Sequence, residues 1–213
     1  GKKLHSHALD NSHIADGVKT IRNYLRDAPT AALNDSVWDL TDLLLCDEDV
    51  ANYNLHYRQM ETCNSVYLCH NNLQTFPRWI TMRASLEHLA IHDNMLQTIP
   101  EEIGSLINLK SLRLDNNPIA CLPASICKLQ KMETLHLINT NINQLPSELG
   151  DLTSLCDLAL GGTPLEMLPR TITLLDPSSL LIWGLESTNL VQNGWAEEDF
   201  VSTHSIFNKI HAC

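Results

Sequence analysis

Cys69, His92 and Asp115 follow one another at intervals of 23 residues. A thiol, an imidazole and a carboxylate are the groups of a nucleophile, a base and an orienting acid, provided the fold brings them within hydrogen-bonding reach. His70 and Asp93 repeat the same interval one position later, and His88 lies close by in sequence. Imidazoles and carboxylates gathered in this way are also the donor set of a divalent metal ion. A third series, Tyr67, Ala90, Arg113 and His136, again steps by 23. It places Tyr and Arg, the residue types that dominate binding hot spots, around a small residue. Elsewhere, Cys46-Asp47-Glu48-Asp49 sets a thiol beside three acids. No phosphate-loop, dinucleotide-binding or His-Glu-x-x-His motif occurs, so the sequence implies no cofactor.

An interval shared by such different residues must come from the architecture that carries them. Five segments begin at Cys63, Leu86, Leu109, Met132 and Leu155, each 23 residues after the last. The fourth position of each is Val66, Leu89, Leu112, Leu135 and Leu158, and the sixth is Leu68, Ile91, Leu114, Leu137 and Leu160. This alternation is that of a short strand with one face buried. The ninth position is Asn71, Asn94 and Asn117, then Thr140 and Thr163. An inward amide there can satisfy backbone groups where the strand turns away, and Thr can satisfy fewer. The fifteenth is always proline: Pro77, Pro100, Pro123, Pro146 and Pro169. Proline stops a strand and starts a return arm. One such unit cannot bury its own apolar face, so neighbours must stack.

The pattern closely resembles the leucine-rich-repeat family, L-x-x-L-x-L-x-x-N-x-L. Its continuation L-P-x-x-I-x-x-L is similar to the intracellular subclass of Ras-suppressor and scribble-type scaffolds and to arrays in secreted bacterial effectors. The resemblance implies an α/β leucine-rich-repeat solenoid, a right-handed α/β or β/3-10 superhelix, over residues 63–177. It further implies a non-enzymatic module that binds a protein partner through the concave face. The resemblance extends to bacterial ubiquitin ligases, whose repeats select the substrate while a separate domain carries a catalytic Cys in a C-x-D motif. Glu48 stands where that motif has Asp, and the 62-residue flank is too short for such a domain. The alternative is therefore a recognition arm of a larger enzyme.

In a repeat of this kind, positions three, five and seven point outward from a concave parallel sheet with strands about 4.8 Å apart. The candidate protein-binding residues on that grid are Tyr67, His88, His92, Arg113, Asp115, His136 and Ile138. Cys69, His92 and Asp115 become neighbours there, but an open sheet supplies neither a water-excluded pocket nor an oxyanion hole. No catalytic residue, metal or cofactor is assigned.

Residues 1–62 read as a helical N-terminal flank. Ile14, Val18, Ile21 and Leu25 share one helical face, Ser36 with Asp39 resembles a capping box ahead of Val37, Leu40 and Leu44, and Val50, Tyr53, Tyr57 and Met60 form a third stripe. Residues 178–213 read as a C-terminal cap, with an irregular strand over 180–185 and a closing helix lined by Phe200, Phe207 and Ile210.

The net charge of −11 is spread evenly, without a basic patch, which argues against nucleic acid and anionic membrane surfaces as partners. No stretch of about 18 apolar residues occurs, and Gly1-Lys2-Lys3-Leu4-His5 lacks the apolar core of a signal peptide. Seven scattered cysteines, an odd number, read as reduced thiols. The expected location is the cytoplasm, or a host cytosol for a secreted effector.

Overall fold

The computed structural model describes residues 37–51, 63–190, 193–195 and 202–212. Seven strands form one parallel sheet in chain order: β1 (Val37–Asp39), β2 (Ser65–Tyr67), β3 (His88–Ala90), β4 (Ser111–Arg113), β5 (Thr134–His136), β6 (Asp157–Ala159) and β7 (Leu181–Trp183). Register is one to one, so Trp38, Val66, Leu89, Leu112, Leu135, Leu158 and Ile182 form a single row. Val66 and Leu89 are 1% exposed, and Leu112, Leu135 and Leu158 are 0% exposed, as the repeat predicts.

Each strand is short because its repeat turns into the left-handed region at the eighth position. Asp42, His70, Asp93, Asn116 and Asn139 all have φ between 53° and 60°. Asp, Asn and His tolerate this conformation better than other non-glycine residues. Gly162 ends the column at φ 70°, where a Cβ would clash with the Asn139 side-chain oxygen.

The ninth-position amides then hold the turn. Asn94 Nδ2 donates to the carbonyls of Leu68, Ile91 and His92, and its Oδ1 accepts the Leu73 N–H. Asn117 repeats the pattern one repeat on. The side chains of Thr140 and Thr163 each donate only to the carbonyl three residues back.

The prolines start the return arms. With φ of −66°, −74°, −68° and −66°, Pro77, Pro100, Pro123 and Pro169 precede the 3-10 turns Arg78–Met82, Glu101–Ser105, Ala124–Lys128 and Arg170–Leu174. The fourth-repeat turn, Leu149–Asp151, is shorter, and its first N–H bonds to Pro146. Ile80, Ile103, Ile126, Leu149 and Ile172 point from these turns into one continuous core shared with the strand residues.

At the N-terminal side the structure corrects one reading. Residues 37–39 are not helical. They form β1, an additional repeat-like strand, and Leu40 and Leu45 take the core places that Leu68 and Leu73 take in the next repeat. The two units are offset by 28 residues rather than 23. Leu43 stands where the next three repeats have Asn, and Asn71 reaches back to this unit as Asn94 and Asn117 do to theirs. Asn71 Oδ1 accepts the N–H groups of Leu43 and Leu45, and its Nδ2 donates to Leu40. The helix α1 (Asp47–Ala51) follows and buries Val50. Ile14, Val18, Ile21, Leu25, Tyr53, Tyr57 and Met60 lie outside the described residues. At the other end β7 completes the sheet, and the helix α2 (Thr203–Ala212) packs Ile206, Phe207 and Ile210 into the core. Phe200 lies outside the described residues.

Among the described residues no cysteine forms a disulfide. Cys121 is exposed, whereas burial raises the thiol pKa of Cys63 and Cys69 and pushes Cys127 up to about 11, with Glu148 and Asp151 adding to the effect at Cys127. The thiolate is the reactive form, and at pH 8 a group with that pKa is about 0.1% ionised. Thiol labelling at pH 8 followed by peptide mass mapping is expected to modify Cys121 at least ~10-fold faster than Cys127. Equal rates would contradict the assigned burial.

Candidate protein-binding face

The fifth positions form one column across the sheet: Asp39, Tyr67, Ala90, Arg113, His136, Ala159 and Trp183. Ala90 has only a methyl group between two large neighbours. The result is an open recess of about 410 Å³, walled by Tyr67 and Arg113 and bordered by Asp39, His88 and His92. Five of the predicted site residues thus gather at this one place, if Asp115 is counted through its contact with Arg113. His136 is the neighbour of Arg113 on the next strand, and half-buried Ile138 lies two residues further.

Arg113 does not stand as an isolated cation. Its Nε and Nη2 each lie 3.3 Å from Asp115 Oδ2, while its side chain remains 46% exposed. Asp115 is 4% exposed and accepts the Ile138 N–H at 2.9 Å through Oδ1. Buried beside the guanidinium, Asp115 sets its direction. The seventh position is more enclosed than the sequence grid implies, because the chain has already begun its turn.

That enclosure also dissolves the Cys–His–Asp arrangement. Cys69 is 5% exposed, and its Sγ donates to the Ala90 carbonyl at 3.4 Å. Desolvation holds the thiol protonated, against the lowering influence of Thr41 and Arg113. His92 Nδ1 turns to Asp93 Oδ2 at 2.6 Å, not to Asp115. Cys46 is likewise engaged locally, its Sγ donating to Asp49 Oδ2 at 3.1 Å. Asp47 ties α1 to the next repeat by accepting from Gln74, Thr75 and the Thr75 hydroxyl.

At the C-terminal end of the face, the sequence reading placed Asp157 on the outward grid without making it a candidate, and it missed Trp183. Asp157 bridges His136 Nε2 at 3.0 Å and the Trp183 indole N–H at 2.8 Å, and the His136 and Trp183 rings meet edge to face at 5.8 Å. Trp183 lies on β7, beyond the last in-phase repeat, although its register partner Ala159 was on the grid.

Known proteins agree with this architecture. The family model for Leucine Rich Repeat matches residues 108–129. No curated protein matches the chain in sequence. Among solved structures, a leucine-rich-repeat protein of Leptospira interrogans superposes with TM-score 0.55 and 30% identity, over 66% of this chain and 34% of that one. The plant peptide hormone receptor RGFR1, in complex with RGF2, gives TM-score 0.58 and 26% identity over 69% of this chain and 24% of the receptor. The Arabidopsis receptor kinase HAESA, in complex with the peptide hormone IDA and the co-receptor SERK1, gives TM-score 0.51 and 26% identity over 66% and 25%. This chain therefore spans about a third or less of the length of each of them. The chain thus carries a matched leucine-rich repeat, and its described residues have the fold of a leucine-rich-repeat solenoid, a general protein-interaction architecture. Among the described residues no helix is long and apolar enough to cross a membrane.

Proposed function

We propose that the concave face binds a protein or peptide partner without catalysis, and that the recess over Ala90 receives an anchoring side chain. The observation that carries this reading is the recess itself, about 410 Å³ between Tyr67 and Arg113. That volume suits one large side chain or a short peptide turn rather than a whole globular ligand. Tyr67 offers a rigid amphipathic wall. Arg113 offers donors already oriented by Asp115, which lowers the ordering cost of binding. A partner carboxylate that shares Arg113 with Asp115 gains directional hydrogen bonds without a strong net field, so charge here fixes register more than it accelerates encounter. The likeness to receptors solved in complex with peptide hormones supports a peptide or protein as the partner.

A photo-reactive residue placed at His88 is expected to crosslink a partner with high yield. The same residue at Lys128, exposed at the end of the Ala124–Lys128 turn away from the sheet, is expected to capture none of it. Equal capture from both positions would remove the concave face from the reading.

A further inference from the structure

The left-handed turn column does more than end the strands. It brings His70 and Asp93 side by side from adjacent repeats, with φ of 54° and 55°, and the His70 N–H bonds to the His92 carbonyl at 3.1 Å. Three potential ligands result. His70 Nδ1 lies 3.6 Å and His92 Nδ1 lies 2.6 Å from Asp93 Oδ2, and one donor atom from each residue falls within 4.8 Å of the others.

The geometry points to a divalent transition-metal site formed by His70, His92 and Asp93, with zinc as the ion class it suits. Bonds of ~2.0–2.1 Å in a tetrahedron place ligand atoms roughly 3.3 Å apart, inside the span of this cluster. Two imidazoles and one carboxylate favour zinc over calcium or magnesium, which need many oxygen ligands. The cluster also has the outer support that an ion requires. Asn116 Nδ2 donates to Asp93 Oδ1 at 2.8 Å, and Asn139 Nδ2 donates to Asn116 Oδ1 at 2.8 Å. This ladder engages one carboxylate oxygen and leaves Oδ2 facing the two histidines, the arrangement that orients a metal-binding carboxylate.

A metal ion at His92 Nδ1 takes the place of the hydrogen bond to Asp93 Oδ2, with the ring proton carried on Nε2. The His70 side chain is 54% exposed and Asp93 30%, so the outer side of the cluster is open to water or to a fourth ligand. His92 also borders the recess over Ala90, which places the ion at the edge of the concave face. His88 borders the recess as well but does not join the cluster. This site goes beyond the partner reading and stands without it.

The test is calorimetric titration of the chelator-treated full chain with zinc ions. The variants are His92→Gln, Asp93→Asn and the double variant His70→Asn/His92→Gln. Asn at positions 70 and 93 keeps a residue suited to the left-handed turn. Wild type is expected to bind one equivalent that the double variant lacks, and each single variant is expected to weaken that event at least tenfold. His136→Gln is expected to leave it unchanged. His5, His7 and His13 remain in every chain, so the difference between chains isolates the cluster. Circular dichroism confirms that each variant is folded, and the Asp93→Asn chain keeps the comparison available if the double variant is not. Zinc binding of equal stoichiometry and affinity in wild type and in the folded variants, or no binding at all, overturns the proposal.

Discussion

Truncating Leu112 to Ala is expected to destabilise the protein by about 2–5 kcal/mol, the usual range for a fully buried leucine. Leu112 is 0% exposed and sits between Leu89 and Leu135 in the middle of the row. In a solenoid each repeat contacts only its neighbours, so a lesion at the centre weakens two interfaces where one at the end weakens a single one. The loss contains the transfer energy of the removed methyl groups and the cost of a cavity that strands pinned on both sides cannot close. Denaturant unfolding measures it. A loss below about 1 kcal/mol would mean that the row is less tightly packed than its burial indicates.

Asn117→Ala is expected to cost about 3 kcal/mol or more, although it removes little apolar surface. The amide serves four backbone groups: the carbonyls of Ile91, Leu114 and Asp115, and the Leu96 N–H. Asn117 is 1% exposed, so these groups lose their partner where solvent is scarce, at roughly 1–3 kcal/mol for each one left unsatisfied. Asn117→Thr should cost about half as much. A hydroxyl there can keep the bond to Leu114, as Thr140 keeps its bond to Leu137. Equal losses for Ala and Thr would show that the amide ladder contributes little beyond that single bond.

The stack was legible in the sequence because its signal repeats in phase. Five copies of one apolar pattern fixed both the strand positions and the buried row. β1 was not legible by the same route, because its 28-residue offset breaks the period. Its own signal was present, since Trp38-x-Leu40 and Leu45 match the spacing of Val66-x-Leu68 and Leu73. The proximity of Tyr67, Ala90 and Arg113 followed from register alone. Side-chain direction at the strand ends did not, because it depends on the left-handed turn at the eighth position. That turn moves His92 towards Asp93 and away from Asp115, and it encloses Cys69 and Asp115. The pairing of Arg113 with Asp115 was open to inference, since residues two apart share one strand face.

The position of the binding site is the central claim, and it rests on Arg113 and the recess beside it. The most direct measurement is calorimetry of a partner captured through position 88, titrated against wild type, Arg113→Ala and Lys128→Ala. Truncating a hot-spot residue costs about 2 kcal/mol or more, whereas remote positions cost little. Arg113→Ala is therefore predicted to weaken binding at least ~30-fold with an unchanged fold, and Lys128→Ala to bind like wild type. Equal affinities for wild type and Arg113→Ala would contradict the account and move the binding surface away from the recess.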